Sequence, residues 1–262
     1  MVVRPEAPQS RGGEGVSETS LRFVTSKPKL RRMLEMASID QELDTIWWRY
    51  DANAIFQKQI DQSMTIAVVA RFNKSFFTEY QGVGEGELKI PSTIYDVVKK
   101  FFKETESVDF TAKGGKLTLK GRDEVYEGDL LQVELPTFEG EVKETDYALM
   151  PELNAGIKGV YGIDSEEWSV KADEIRIHYG DKLRISVSLE EGGTYSRYPK
   201  ILTKADVQGE GSVLLDGKVF KTIIDLFSGP LYLIVTDGPV VLAQKTPEYA
   251  ITYVIAPKVE SE

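Results

Sequence analysis

The sequence predicts an α+β protein built from four similar units, two in each half of the chain. Four amphipathic helical segments begin at nearly regular intervals, and short apolar runs typical of strands fill the gaps between them. An acidic segment that contains Pro136 and Gly140 separates the two halves. Recurrence of one supersecondary unit along a chain is the signature of repeated structure. An ordinary α+β protein with chance spacing remains the alternative.

Composition sets the first limits on class. The 262 residues are 41% apolar, carry a formal net charge of −10 and include no cysteine. Disulfides and thiolate metal sites are therefore excluded, and a reducing compartment fits. No apolar run approaches the ~20 residues that span a bilayer, and the first residues lack the apolar stretch of a secretory signal. We expect a soluble, intracellular protein whose partners depend on where its positive residues lie.

The first predicted element is a tail. Residues Met1 to Ser20 are rich in Gly, Ser, Pro and Glu and show no hydrophobic period. Such a composition does not bury enough apolar surface to offset the entropy of ordering the chain, so the sequence predicts a disordered N-terminal segment 1–20. Folded structure is expected from Leu21 onward.

Helices are predicted where apolar residues recur three or four positions apart. Ser26 can cap the first helix, and Pro28 lies near its first turn. The four helices begin 64, 60 and 66 residues apart. Their spans and apolar faces are Lys27–Ala37 (Leu30, Met33, Leu34, Ala37), Pro91–Lys103 (Ile94, Val97, Val98, Phe101), Pro151–Gly162 (Leu153, Ile157, Val160, Tyr161) and Gly217–Phe227 (Val219, Phe220, Ile223, Phe227).

Strands are predicted from short runs rich in β-branched and aromatic residues between turn signals. Gln132 to Glu144 lacks such a run and favours an extended connector, which divides the chain into domains 21–131 and 145–262 with a connector over 132–144. The predicted strands are Thr45–Tyr50, Ala54–Gln59, Met64–Phe72, Gly86–Ile90, Val108–Ala112, Leu117–Gly121, Tyr126–Leu131, Glu174–Tyr179, Leu183–Leu189, Tyr195–Leu202, Gly211–Leu215, Leu231–Thr236, Val240–Gln244 and Tyr249–Ile255.

Positive residues gather on the solvent sides of the predicted helices, although the chain as a whole is acidic. A strip of this kind suits DNA phosphates without reading bases, because lysine and arginine bind the backbone through charge. For any single helix, a charged outer face is ordinarily only a solvated face. The candidate DNA-binding residues are Lys27, Lys29, Arg31, Arg32, Lys99, Lys100, Lys103, Lys158, Lys218 and Lys221.

Four landmarks resemble the DNA sliding clamps of the proliferating-cell-nuclear-antigen type, in the correct order. The segment Tyr253–Glu260 is similar to the closing strand and tail of these clamps, and Thr236–Leu242 to the turn and strand before it. Ile60–Ala70 resembles the clamps' Asp-Ser-Ser turn and next strand, and Leu135 to Phe138 the Leu-Pro connector of archaeal or viral members. The resemblance covers the chain from about Leu21 to Glu260. The extra tail and the glycine-rich third helix depart from it.

This resemblance implies two similar domains, each a pair of βαβββ units, and three chains closed head to tail into a ring whose hole is lined by helices. The implied function is to encircle duplex DNA without reading its sequence, as a polymerase processivity factor and docking platform. DNA polymerase, clamp loader, nuclease and ligase would bind through short peptide motifs. A homotrimer without cofactor, metal or membrane contact is expected, cytoplasmic in an archaeal or viral host cell and nuclear in a eukaryote.

The resemblance also implies two protein-binding surfaces. Partner peptides would enter an apolar pocket beneath the connector and add main-chain contacts along it. Unpaired strand edges would join neighbouring subunits, since ring closure removes them. Core packing is the alternative for the first set and a capped free edge for the second. The pocket residues are Ile60, Met64, Leu135, Phe138, Pro239, Val254, Ala256, Pro257 and Lys258, and the interface residues are Val125, Tyr126, Leu130, Tyr195, Tyr198 and Ile201.

Catalytic residues are not predicted. His178, the only histidine, sits in a predicted strand, and the glycine run 82–86 is followed by no Gly-Lys-Ser/Thr, which favours a turn over a phosphate loop. Glu166-Glu167 and Glu190-Glu191 fall in predicted turns. No nucleophile, base and orienting residue form a set. A polysaccharide- or nucleotide-processing enzyme is one alternative, and a clamp-like paralogue or hetero-ring subunit that forms no functional ring alone is another.

Overall fold

The computed structural model describes residues 19–138, 140–168, 171–188 and 193–259. Within them lie three α-helices, α1 (Lys27–Ser38), α2 (Ile94–Phe101) and α3 (Gly217–Asp225). Helix α1 begins where Ser26 Oγ accepts from the Lys29 N–H at 3.4 Å, with Pro28 in its first turn, and ends at Ile39 in a left-handed conformation. None of these helices is long and apolar enough to cross a membrane.

Strands make up about half of the described residues. They are β1 (Ser20–Ser26), β2 (Thr45–Tyr50), β3 (Ala54–Ile60), β4 (Ile66–Asn73), β5 (Glu79–Val83), β6 (Gly86–Pro91), β7 (Ser107–Lys113), β8 (Lys116–Lys120), β9 (Val125–Asp129), β10 (Val142–Glu144), β11 (Leu149–Pro151), β12 (Ile157–Asp164), β13 (Glu174–Tyr179), β14 (Arg184–Ser188), β15 (Thr194–Arg197), β16 (Ile201–Ala205), β17 (Gly211–Asp216), β18 (Pro230–Thr236), β19 (Val240–Lys245) and β20 (Tyr249–Ile255).

The two halves of the chain share one large sheet. Its nine antiparallel strands follow the order β16-β12-β18-β19-β20-β4-β3-β2-β6, and the β20–β4 pairing joins the second half to the first. A five-stranded sheet, β5-β1-β7-β8-β9, belongs to the first half, and a four-stranded sheet, β15-β14-β13-β17, belongs to the second. β10, at the end of the predicted connector, forms a separate hairpin with β11.

One main hydrophobic core lies between the sheets and the helices. Alternation along each strand supplies it: in β1, Leu21 and Phe23 are buried while Arg22 and Val24 are partly exposed. Phe23 stacks on Phe110 of the neighbouring β7, with ring centroids 4.5 Å apart. A smaller apolar cluster covers the opposite face of the nine-stranded sheet beneath the connector and the β10–β11 hairpin.

The predicted strands are confirmed with small shifts at their ends, with one exception. The predicted strand Tyr195–Leu202 is two strands, β15 and β16, which lie in different sheets. Pro199 separates them and supplies no N–H for a continuous ladder. Five strands were not predicted: β1, β5, β10, β11 and β12. The glycine run 82–86 covers the end of β5, a two-residue turn with Gly84 at φ +70°, and the start of β6.

The predicted third helix, Pro151–Gly162, is wrong. Ile157–Asp164 is strand β12, which pairs with β18 on one side and β16 on the other. Its helix-like apolar spacing arises because Gly159 to Ile163 are buried without a break, between the main core and the outer cluster. A strand covered on both faces gives a continuous apolar run that periodicity does not distinguish from a helix. Gly156, Gly159 and Gly162 also disfavour a helix.

Candidate DNA-facing and partner-binding surfaces

The three helices lie in a row with α1 in the middle. The buried Lys27 ammonium at the start of α1 donates to the Lys99 carbonyl of α2 at 3.0 Å. At the other side, Glu35 and Asp40 from the end of α1 line a cavity of about 300 Å³ together with Lys221 and Asp225 of α3. The row therefore places the solvent faces of all three helices on one side of the protein.

This row covers one face of the nine-stranded sheet, and the connector covers the other. The Tyr253 hydroxyl of β20 donates to the Met36 carbonyl of α1 at 2.8 Å, and Gln57 Nε2 of β3 donates to the Ala37 carbonyl at 2.8 Å. Val254, the next residue along β20, points the opposite way and packs in the outer cluster with Phe138. Successive strand residues face opposite sides, so helices and connector are separated by the sheet.

Two of the predicted DNA-binding lysines lie elsewhere than predicted. Lys27 is only 3% exposed, because its ammonium ties α1 to the α2 carbonyl and to Glu104. Lys158 lies on strand β12, with Nζ 3.5 Å from Asp237. The prediction that these two lysines lie on the solvent-facing side of a helix was wrong. A helical wheel shows which residues would share a face, but it shows neither whether the segment is a helix nor whether another element packs on that face.

Most of the remaining candidate cations already face a carboxylate. Lys29 pairs with Glu248 at 2.9 Å and Arg31 with Glu104 at 3.2 Å. Surface pairs of this kind contribute roughly 0–1 kcal/mol each and exchange readily with other anions. Lys99 lies over the Tyr95 ring, 5.5 Å from its centroid, and has no carboxylate partner in the described ranges. The other pairs are Arg32–Glu35 at 2.9 Å, Lys100–Asp96 at 3.3 Å, Lys103–Asp123 at 3.1 Å, Lys218–Asp173 at 3.3 Å and Lys221–Asp225.

The predicted peptide pocket is only partly brought together. Ile60 and Leu135 line a cavity of about 300 Å³ between the end of β3, the α1–β2 loop and the connector. Ile60, Phe138 and Val254 share the outer cluster. Met64 is 70% exposed at the tip of the β3–β4 turn, with φ 57°. The lining of this cavity includes neither Met64 nor the prolines 239 and 257.

Ala256 and Lys258, which were predicted to offer backbone contacts to a peptide, already make backbone hydrogen bonds within the chain. The Ala256 N–H donates to the Thr65 carbonyl at 2.9 Å, and the Lys258 N–H donates to the Leu214 carbonyl at 2.9 Å. Only their carbonyl groups are left to accept from a peptide. The Lys258 ammonium also pairs with Glu174 at 2.8 Å, which holds the tail against β17.

The connector is fixed to the sheet by residues that the sequence did not single out. Glu144 of β10 accepts from Arg71 of β4 at 2.7 Å and pairs with Lys245 of β19 at 2.9 Å. The Arg71 hydrogen bonds, and then those from Lys245, lower the pKa of Glu144 to about 2. Tyr147 packs edge-on against Tyr232, with centroids 5.1 Å apart. The alternation of β10 and β11 spans only three residues each, too short to signal a strand.

Two of the sheet ends within the described chain, those at β9 and β15, have no further strand paired to them. β9 pairs only with β8, at one end of the five-stranded sheet, and β15 pairs only with β14, at one end of the four-stranded sheet. Val125 is 61% exposed on the first edge, and Tyr195 and Tyr198 are 49% and 64% exposed on and beside the second. Tyr126 and Leu130 pack partly on the core. Ile201 lies on β16, in the nine-stranded sheet and not on this edge.

The two edges differ in charge. Glu127 and Asp129 lie on β9, with Asp123 and Glu124 just before it. β15 ends at Arg197, and Lys200 follows three residues later. An acidic edge and a basic edge on one chain are complementary for a head-to-tail contact between copies, and not for a contact of either edge with itself.

The residues considered as catalytic candidates in the sequence do not come together in the part of the chain that the structure describes. His178 accepts or donates at Ser186 Oγ (2.8 Å) on the outward face of the four-stranded sheet. Glu167 accepts from the Lys200 N–H at 2.7 Å in a single 3-10 turn after β12. Glu190 and Glu191 lie outside the described residues. No cluster of three or more metal-ligating side chains occurs within the described ranges.

Comparison with solved structures identifies the fold of this chain. No family model matches the sequence, and no curated protein matches it. Among solved structures, A. fulgidus PCNA bound to the C-terminal region of FEN-1 superposes with a TM-score of 0.74 at 14% identity, covering 92% of this chain and 100% of that chain. The Entamoeba histolytica proliferating cellular nuclear antigen gives 0.74 at 13% identity, covering 92% and 99%. The PCNA2–PCNA3 complex from Sulfolobus tokodaii gives 0.70 at 16%, covering 91% and 100%.

These superpositions extend over nearly the full length of every chain compared. The chain therefore has the fold of the sliding clamps, as the sequence resemblance implied, with strand β12 in the region where a third helix was predicted.

Proposed function

We propose that this chain is a sliding clamp: a non-catalytic subunit that closes around duplex DNA and holds replication and repair enzymes on it. The observation that carries the proposal is the separation of two surfaces by the nine-stranded sheet. A row of helices with exposed cations occupies one face, and the connector with the outer apolar cluster and an adjoining cavity occupies the other. DNA and protein partners can then bind at the same time.

The helix row suits a DNA that must slide. Lys99, Lys100 and Lys221 project from α2 and α3, and each charged pair with Asp96 or Asp225 is exposed to solvent. Cations that exchange between a carboxylate and a passing phosphate give weak, salt-screened contacts without base readout. Topological closure of the ring, and not contact strength, would prevent escape. The domains 21–131 and 145–262 and the connector between them are part of this proposal.

Ring closure is proposed to use the two unpaired edges. The acidic β9 of one copy would pair with the basic β15 of the next, with Val125, Tyr126, Tyr195 and Tyr198 excluding water around the joined strands. Because the two complementary edges belong to one chain, a homotrimer is favoured over a hetero-ring. The hetero-ring subunit is the second candidate, since one of the solved clamps of the same fold is a complex of two different clamp chains.

Partner proteins are proposed to insert a short peptide between the connector and the sheet, at the cavity lined by Ile60 and Leu135. The structural relative from A. fulgidus is bound to the C-terminal region of FEN-1, which supports a short protein segment as the ligand. DNA polymerase, clamp loader and ligase would bind by the same peptide chemistry.

The deciding experiment is polymerase stimulation on primed circular DNA, in the presence and absence of a clamp loader. A sliding clamp lengthens the products on circular DNA and loses the effect when the circle is cut and its ends are left open. Light scattering of the isolated chain then separates the two candidates. A mass of three subunits supports the self-closing ring, and a monomer that stimulates synthesis only with a second clamp chain supports the hetero-ring. Absence of stimulation with both would contradict the proposal.

A further inference from the structure

The end of helix α2 carries an apolar side chain that the proposed surfaces leave unused. Phe101, the last residue of α2, is 63% exposed. Burial, and then the charge of Glu35 in α1, raise the pKa of the Tyr95 hydroxyl, which indicates that this side of α2 faces α1. Lys99 lies over the Tyr95 ring on the same side. Two residues turn a helix by about 200°, so Phe101 projects from the opposite side, away from α1.

The end of α2 is attached to the turn that leads into β9. The Glu106 carboxylate, shortly after α2, accepts from the Lys103 N–H at 3.1 Å and also from the Arg122 N–H of that turn. Val125, the first residue of β9, is 61% exposed. The exposed phenylalanine of α2 therefore lies near the starting end of the β9 edge.

The β15 edge has a comparable attachment at its finishing end. The 3-10 turn after β12 packs beside the end of α3, where Ser165 Oγ donates to the Phe227 carbonyl at 3.3 Å. Glu167 of the same turn accepts from the Lys200 N–H at 2.7 Å, just past the end of β15. Tyr198, between β15 and Lys200, is 64% exposed. The finishing end of β15 thus lies near α3, as the starting end of β9 lies near α2.

The order of charges along the two edges favours antiparallel pairing of β9 with β15. Asp123 and Glu124 precede β9, whereas Arg197 ends β15 and Lys200 follows it. Antiparallel strands bring the start of one beside the end of the other, so these acids and bases would lie next to each other across the joint. Parallel pairing would place them at opposite ends of the two strands. Antiparallel pairing also brings the α2 end of one copy to the Tyr198 end of the next.

We propose that Phe101 of one copy packs on Tyr198 of the next, as a second contact of the joint on the side of the helix row. This inference rests on the proposed ring and adds an apolar contact between helix layers to the pairing of strands. Two aromatic rings that are each more than half exposed in one chain gain by shielding each other from water. One ring flanks a sheet of the first half and the other a sheet of the second, so a head-to-tail copy brings them together.

The chain contains no cysteine, so introduced thiols can report this contact directly. Phe101→Cys and Tyr198→Cys combined in one chain should give covalent dimers and trimers with a short bismaleimide, seen on a denaturing gel. The linker is used because a direct disulfide requires Cα atoms within about 7 Å. Each single variant gives the background from random collisions. The control pair, Phe56→Cys with Tyr198→Cys, should give only that background, because Phe56 lies on the face of β3 opposite the helices.

The contribution of the ring is measured by dilution. Phe101→Ser should raise the concentration at which trimers dissociate by at least about tenfold, because truncation of an aromatic anchor weakens an interface. Phe56→Ser removes a phenylalanine that is 37% exposed outside the joint, and its trimers should dissociate at the parent concentration. Light scattering over a dilution series gives both values, and circular dichroism confirms that both variants fold. Unchanged dissociation in Phe101→Ser would overturn the proposal.

Failure of this contact and failure of the clamp function give different results. Trimers of the parent chain without cross-links between positions 101 and 198 would overturn the contact and leave the ring in place. A parent chain that stays monomeric would also overturn a contact between identical copies. Polymerase stimulation with a second clamp chain then decides the clamp function separately.

Discussion

Single side chains join the layers of this protein. Tyr253 is fully buried in β20, yet its hydroxyl reaches across to the Met36 carbonyl in the last turn of α1. Burial raises the pKa of Tyr253 well above its ordinary value, so the hydroxyl stays protonated and remains a donor. Gln57 makes the parallel contact from β3 to the next carbonyl. These two donors set the position of the helix row on the sheet.

Replacing Tyr253 by Phe tests this attachment. The substitution keeps the ring but removes the hydroxyl, and the Met36 carbonyl retains its weaker bond from the Ile39 N–H at 3.3 Å. We expect a loss of about 1 kcal/mol in the free energy of unfolding, measured in urea. Tyr232→Phe is the control, because the Tyr232 ring packs on Tyr147 and its hydroxyl has no hydrogen bond in the described ranges. Equal losses in both variants would contradict a role for the Tyr253 hydroxyl.

Glu144 gives a prediction about pH. Its folded pKa is about 2, below the ordinary 4.5, because Arg71 and Lys245 stabilise the carboxylate. A depressed pKa contributes stability that is fully present above the ordinary value and is lost as pH falls toward the folded one. The connector hairpin should therefore stay attached at neutral pH and loosen between about pH 4.5 and 2.

NMR measures this as the pH at which the amide resonances of residues 142–151 change. Glu144→Gln should remove the transition and make these amides exchange faster at neutral pH, while the exposed Glu141→Gln should leave both unchanged. A transition that persists in Glu144→Gln would assign the titration to another carboxylate.

At the scale of elements, the edges at β9 and β15 differ from the edges at β6 and β17. The β6 edge is covered by the chain just before the connector, where the Leu131 N–H donates to the Lys89 carbonyl at 2.8 Å. The β17 edge is covered by the C-terminal tail, where the Lys258 N–H donates to the Leu214 carbonyl. β9 and β15 have no such cover in the described ranges, and they are short, five and four residues. Short exposed edges with opposite charge pair with each other in preference to random partners.

Tyr195→Asp tests the β15 edge. The side chain is half exposed in one chain, so the fold should tolerate the change, but a carboxylate would face the acidic β9 of a neighbour. We expect light scattering to report monomers where the parent chain gives trimers, with an unchanged thermal transition at low concentration. Leu202→Asp is the matched control, since Leu202 is 42% exposed on β16, in another sheet. Trimers in Tyr195→Asp would exclude β15 from the contact.

At the scale of the whole molecule, an acidic chain presents its cations on one side. The row of helices carries Lys99 and Lys100 of α2 beside Arg31 of α1 and Lys218 of α3, with carboxylates interspersed. The positive potential of this row is therefore weaker than the number of lysines and arginines alone indicates. Weak attraction is compatible with function if closure around the duplex supplies the retention.

Reversing the charge of Lys99 and Lys100 to Glu tests the DNA-facing side. We expect weaker association with duplex DNA at low salt and a smaller dependence on salt, since each lost phosphate contact lowers the salt slope by about 0.9. Lys143→Glu with Lys182→Glu changes the net charge equally but places the new charges on the hairpin β10 and on the β13–β14 turn. If both double variants lose DNA binding equally, the effect is one of net charge and the helix row is not the DNA surface.

Local patterns account for much of this fold. The spans of β2, β13 and β20 and the capped start of α1 follow from residues adjacent in sequence, because alternation and capping are decided within a few positions. The sequence also identified three of the helices and, through the order of the landmarks, the clamp-like fold. Each of these features follows from the pattern of buried and exposed residues within one segment of the chain.

Contacts between distant residues were decided by the tertiary structure. Ile157–Asp164 is a strand because β16 and β18 pair with it from both sides, and Lys27 is buried because α2 packs over it. The pairing of Lys29 with Glu248 and the attachment of Glu144 to Arg71 arise between elements that are far apart along the chain. A hydrophobic pattern specifies which face is covered, whereas the partner that covers it depends on how all the elements pack.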